Sequence, residues 1–475
     1  MVAKDGGKDS MMTHWNVSDF AALAGGVVLG RDASMPIRIL SDSRDVFPGD
    51  AFIALPGTKQ DGHLFLEDAV KMGANILIGS NENMLRKFAN DQACVFIKDI
   101  ETTIIETARK YIKIVNPKII AVTGSVGKTT TRECIYRVLN NKYKVHRPFR
   151  SYNTNIGCAL TILSMSPDTN FLVLEMGANH ENEIASMVSV FPPDVAVITE
   201  AAAAHLEGFK NIDAIVSTKS EIYKNINTKV LFYNSDRIEL SNKIVKDTTN
   251  IEKYGVGLKH SYYKIASPEF SMYKNRPKLT FILRTNRDEY FVESQFVGVH
   301  NVYPIAFALS IGEYFNVVKK EMLESISHME PLDGRGVHIQ LDNGATLLDD
   351  SYNANPLSMI AALNALKNIT TNGKKIAILG DMKELGVDSI LFHKDLLKEA
   401  TFCDVVILYG DIWNKALKES NNSNYSFELI PCDSLEQCYF NIIKYMKSCN
   451  VFLIKGSHSN NLDFLVSKIK KEYYL

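Results

Sequence analysis

No uninterrupted apolar stretch of this chain approaches the roughly 20 residues that cross a bilayer, which argues against a helical membrane protein. Excess charge of one sign is also missing. Its 53 basic side chains face 54 acidic ones, so no global field favours nucleic acid or an anionic lipid surface. The seven cysteines, at 94, 134, 158, 403, 432, 438 and 449, form neither a Cys-x-x-Cys pair nor a metal-ligand spacing. Their odd number argues against a disulfide framework, and reduced packing residues are expected. Met1–Met12 carries lysines and aspartates but no apolar core of signal-peptide length. A cytoplasmic location, without membrane or nucleic-acid partners, is the expectation. Internal repeats and low-complexity tracts are absent too.

What is present is length and alternation. A chain of 475 residues exceeds what one core holds, and 46% hydrophobic with 23% charged residues is ordinary for a globular protein, so three domains are predicted. Asn116-Pro117 punctuates the sequence just before the apolar run Ile119–Val122, which sets the first boundary near residue 115. Beyond it, strand patterns at Lys118–Thr123, Phe171–Leu174 and Val195–Thr199 alternate with helical ones at Thr129–Leu139 and Ile184–Val190, implying a parallel sheet. Leu279–Leu283 and Tyr290–Val297 read as a meander, and the apolar helix Val302–Phe315 closes the domain. Strand patterns at Thr346–Leu348, Lys375–Leu379, Val405–Tyr409 and Val451–Ile454 form another alternating unit. The expected class is α/β, with three domains at 1–115, 116–332 and 333–475: a central P-loop parallel-sheet domain and a C-terminal Rossmann-like domain follow the first.

The segment Thr123-Gly124-Ser125-Val126-Gly127-Lys128-Thr129-Thr130 lies between a buried strand and a helix start. Backbone N–H groups there can surround phosphate oxygens, Lys128 can neutralise the β- and γ-phosphates, and the Thr129 hydroxyl can ligate Mg²⁺. Val122 stands where the longer Walker spacing has glycine, so the match is to the shorter T-G-S-x-G-K-T-T form. Glu175 ends the next strand, where open α/β sheets bind ligands; it is either a metal-directed acid or a solvated strand-end carboxylate. His205 and Lys219, taken singly, read as a structural histidine and a solvated helix lysine.

Together these segments resemble the Mur ligases, over nearly the whole chain. Asp42-Ser43-Arg44, Pro48-Gly49-Asp50 and Asp61-Gly62-His63 are similar to the family's nucleotide-sugar domain, and Tyr152–Gly157, Glu175–His180, Ala204–Phe209 and Gly298–Tyr303 to its middle domain. Asp349–Met359, Leu379–Gly386 and Lys455-Gly456-Ser457 resemble its third. The resemblance implies an ATP- and Mg²⁺-dependent ligase joining D-alanyl-D-alanine to UDP-N-acetylmuramoyl-tripeptide through an acyl-phosphate, acting as a monomer. It further implies that Gly124, Ser125, Gly127, Lys128, Thr129 and Thr130 serve ATP. Glu175 and His205 would hold metals beside Thr129, and Lys219 would be carbamylated. Asn301 would approach adenine, Arg335 the phosphates and Asp350 the ribose. Substrate contacts fall to Ser43, Arg44, Asp61, His63, Asn153, Asn155, Asn353, Asn355 and Lys455.

Alone, Arg335 reads as a hinge arginine, Asp350 as a strand-end acid and Asp61-Gly62-His63 as a turn. Three positions depart from the family pattern. Pro304 replaces an asparagine, which should remove one adenine hydrogen bond. Glu200 replaces another, and its extra charge near the metals would either tighten Mg²⁺ or repel ATP. His458 replaces an arginine after Lys455-Gly456-Ser457. Two other readings remain: a related amide ligase acting on a different carboxylate, and a P-loop regulatory ATPase. Closure of the third domain over the nucleotide is expected to assemble the site.

Overall fold

The computed structural model describes residues 15–474, apart from 37, 58, 59, 203–206, 210, 260 and 420–424. Three sheets follow one another along the chain. The first runs in the order Val27–Gly30, Ala93–Phe96, Ile76–Gly79, Ala51–Ile53, Ile39–Leu40, all parallel except the first pair. Helix Ile100–Val115 follows it, and Asn116 ends that helix in the left-handed conformation, with φ 52°. Asparagine tolerates that geometry, and the proline after it cannot continue a helix. The helix binds the first domain to the second: Trp15 stacks on Tyr111 at 4.4 Å, and the Tyr111 hydroxyl donates to the Met165 carbonyl at 2.9 Å.

The second sheet has nine strands, with Lys118–Thr123 flanked by Phe171–Glu175 on one side and Val195–Ile198 on the other. All three are parallel and buried, as expected of strands covered on both faces. The meander does not form a separate layer. Tyr263–Tyr273 continues the parallel sheet beside Glu252–Gly257, and Arg276–Arg284 and Glu289–Ser294 then extend it antiparallel. Helix Val302–Tyr314 is buried almost all round and packs on Lys128–Leu139. Gly312 permits that approach, because a Cβ there would collide with Met322 Sδ and come within 2.5 Å of Val138 Cγ1.

The third sheet runs Val337–Gln340, Thr346–Asp350, Val451–Lys455, Lys375–Gly380, Val405–Tyr409, Glu428–Cys432, parallel beyond its first, antiparallel pair. Side chains from beyond the C-terminal strand ends of the second and third sheets line one cavity of about 1050 Å³.

Candidate active site

The phosphate loop is fixed by the strand beside it. Gly124 has φ 151° and Gly127 φ 81°, both in the region that disfavours a side chain, and a Cβ on Gly124 would collide with Thr199 Oγ1. Thr199 Oγ1 donates to the Val126 carbonyl at 2.6 Å, Ser125 N to the Glu200 carbonyl at 2.9 Å, and Ser125 Oγ to the Ala202 carbonyl at 2.8 Å. Gly127 then caps helix Lys128–Leu139, so the loop's amides and the positive helix end face the cavity. Lys128 Nζ folds back to the Gly124 carbonyl at 2.8 Å, and burial pushes its pKa down against the opposing pull of Glu175.

Thr129 Oγ1 donates to Glu175 Oε2 at 2.9 Å, with both side chains buried. A hydroxyl and a carboxylate side by side at the phosphate loop are hard oxygen donors, the set Mg²⁺ takes when substrate phosphates and waters supply the rest. Sequence reasoning missed the residue that holds this acid. Arg132 approaches Glu175 Oε2 at 3.3 Å and Glu133 Oε1 at 2.6 Å, and Arg147 Nε lies 3.0 Å from Glu133 Oε2. Arg132 and Glu133 are both buried on helix Lys128–Leu139, which the local sequence, rich in threonine and charge, does not signal.

Lys219 is 1% exposed on helix Ile212–Ser220 and sits behind the cavity wall, its Nζ donating to the Ala178 carbonyl at 3.3 Å. Burial, with Lys128 adding to it, brings its pKa down to about 7. His205 lies outside the described residues.

From the third domain, Arg335 stands between Gly334 and Gly336, both with positive φ, and lays its guanidinium over the Tyr352 ring at 4.1 Å. The Tyr352 hydroxyl donates to Ser151 Oγ at 3.0 Å, and Ser151 Oγ lies 3.5 Å from Thr129 Oγ1. Ser151 therefore ties the third domain to the phosphate loop. His458, where the family pattern has arginine, also stacks on the Tyr352 ring, with ring centroids 5.5 Å apart. Asp350 and Lys455 form a pair at 2.7 Å, and Lys455 also donates to the Asn353 carbonyl.

Several of the expected ligand contacts are engaged within the protein. Asn355 caps helix Pro356–Lys367 by accepting from Ser358 N, and Asn353 Oδ1 accepts from Ala354 N. Asn301 Nδ2 turns back to the Val297 carbonyl at 2.8 Å, while Asn155 Nδ2 donates to Ser186 Oγ at 3.1 Å. Asn153 lines the cavity, and its carbonyl accepts from Gly177 N. Ser43, Arg44, Asp61 and His63 do not line it. Ser43 is buried, Arg44 is exposed and paired with Asp42 at 2.6 Å, and both ring nitrogens of His63 are used inside the first domain. Nδ1 of His63 meets Asp61 at 2.6 Å, and Nε2 accepts from Ser80 N and Asn81 N. His63 is thus a buried residue that organises the turn after Asp61.

The extra charge at Glu200 is neutralised. Arg237 Nε lies 2.6 and 2.7 Å from its two carboxylate oxygens, so the carboxylate is tied to a cation and does not stand free against the phosphates. Pro304 sits in the first turn of Val302–Tyr314, where its missing N–H breaks no helical bond.

A phosphate loop at the C-terminal end of a central strand, faced across a cavity by a basic and aromatic group from another α/β domain, defines a nucleotide-using enzyme whose site is shared between domains. Three domain families match in order: Mur ligase family, catalytic domain, over residues 38–128; Mur ligase middle domain over 122–312; and Mur ligase, glutamate ligase domain, over 334–458. The UDP-N-acetylmuramoyl-tripeptide--D-alanyl-D-alanine ligase of Bacillus subtilis is 30% identical over 358 residues, 75% of this chain and 76% of the relative. The enzyme of that name from Rickettsia prowazekii is 28% identical over 93% of this chain and 97% of its own. Among solved structures, MurF ligase from Thermotoga maritima in complex with ADP is 26% identical with a TM-score of 0.73, covering 92% of this chain and 97% of that one. The chain belongs to the Mur ligase family.

Proposed function

We propose that the chain joins D-alanyl-D-alanine to UDP-N-acetylmuramoyl-tripeptide at the expense of ATP. The observation that carries this reading is the meeting of the phosphate loop with Arg335, Tyr352 and Lys455 on one cavity, in a chain similar along nearly its whole length to ligases of that name. A carboxylate is a poor electrophile, so it must be activated. The tripeptide's terminal carboxylate oxygen attacks the γ-phosphorus of ATP and ADP leaves. The amine of D-alanyl-D-alanine then attacks the acyl carbon of the acyl-phosphate, losing a proton as phosphate departs.

Lys128 and the loop amides hold the phosphates and offset charge developing during transfer. Arg335, stacked on Tyr352, adds a second cation from the opposite wall, and closure of the third domain over the cavity would keep water from the acyl-phosphate. Thr129 and Glu175 would hold Mg²⁺, which supplies charge neutralisation at the phosphates. Lys219 would carry a carbamate: its amine is buried with a depressed pKa, and N-carboxylation converts it to an anion suited to a cation-binding site. The first domain would receive the uridine nucleotide. ADP release by the purified protein is expected to require tripeptide and D-alanyl-D-alanine together; equal release with neither sinks the ligase reading in favour of a regulatory ATPase.

A further inference from the structure

The phosphate loop has two flanks. Glu175 ends the strand on one side, and Glu200 follows the strand on the other, its backbone bonded to Ser125. If the Glu175 flank serves the reacting phosphate, the nucleoside extends over the other flank, where Glu200, Asn234, Arg237, Asn301, Tyr303 and Pro304 line the cavity. This rests on the ATP reading above. Two features of that wall limit the donors it offers to adenine. Pro304 offers no side-chain amide, and the Asn301 amide nitrogen is turned to the Val297 carbonyl.

What the wall offers is a guanidinium. Glu200 is 6% exposed and engages only Nε of Arg237, while Nη1 and Nη2 make no hydrogen bond among the described residues. Tyr303 does not compete for Glu200, because its hydroxyl donates to Asp236 at 2.7 Å. Paired N–H donors of an arginine match an edge with two acceptors. A 6-oxopurine presents O6 and N7, whereas adenine presents one acceptor and one donor there. We propose that Arg237, oriented by Glu200, selects the nucleobase in this chain and makes 6-oxopurine triphosphates such as GTP and ITP competent substrates beside ATP.

The test is calorimetric binding of ADP, GDP and IDP to the full chain, with turnover of the matching triphosphates. In the wild-type protein GDP and IDP should bind within about tenfold of ADP. Replacing Arg237 alone by a neutral residue would strand a buried carboxylate, so the decisive variants are the double change Glu200→Asn with Arg237→Asn, and Arg237→Lys, which keeps the ion pair but removes the paired donors. Both should raise the preference for ADP over GDP by about tenfold, the worth of one good bidentate contact. An unchanged ratio in either variant makes Arg237 a structural cation and overturns the proposal. Failure of the wild-type chain to bind any diphosphate would instead overturn the nucleotide reading beneath it.

Discussion

Lys219 shows how much one residue depends on its surroundings. With a pKa near 7, about half its amine is free at neutral pH, and carbamate formation needs the free form. At a fixed concentration of dissolved CO2, the species that adds to the amine, reactivation of carbonate-depleted enzyme should therefore be faster at pH 8 than at pH 6, followed as recovery of ADP release. Lys219→Ala should lose most activity and regain part of it with added short carboxylic acids. Wild-type turnover by the untreated variant would remove the residue from the reaction. Arg132 makes a stability prediction at the same scale: Arg132→Met leaves Glu175 without its arginine in a buried site, and should cost about 3 to 5 kcal/mol in urea unfolding. Of the site, the phosphate loop was legible in the sequence because its chemistry is local. Arg132 was not, because helix periodicity marks a charged residue as outward unless its partner, 43 positions away, is known.

Elements were read best where one period dominated. The strand Lys118–Thr123 and the helix after it are where the pattern put them, whereas the meander's attachment to the parallel sheet depends on pairing between Val256 and Tyr263, which no period reveals. Asn355 illustrates the same limit. The string Asn355-Pro356-Leu357-Ser358 matches a family motif, yet it is also a capping box with proline at the first helical position. Asn355→Ala should cost about 1 kcal/mol of third-domain stability by thermal melting. A large rise in KM for the tripeptide without that loss would restore a ligand role. In the phosphate loop, Gly124→Ala forces a side chain into Thr199 at φ 151°, and ADP affinity should fall about 10- to 100-fold, given strain of about 1–3 kcal/mol.

For the whole molecule, the second and third domains share one apolar cluster, and few polar groups join them at the reaction centre. Tyr352→Phe removes the hydroxyl that reaches Ser151, and kcat/KM for ATP should fall by up to about tenfold, the worth of one hydrogen bond, while the melting temperature stays unchanged. An unchanged rate would mean that the third domain is held by its apolar contacts alone.

Helix Val302–Tyr314 carries a consequence for how the protein is made. It covers the Lys128–Leu139 helix, yet the ribosome releases it more than 160 residues later. During that interval the nine-stranded sheet can pair, but Val138 and its neighbours stay open to water. A nascent chain stalled after Ser294 would thus display a nearly finished sheet with its apolar flank uncovered, a natural client for chaperones that bind exposed apolar surface, and release of residues 302–314 would end that dependence.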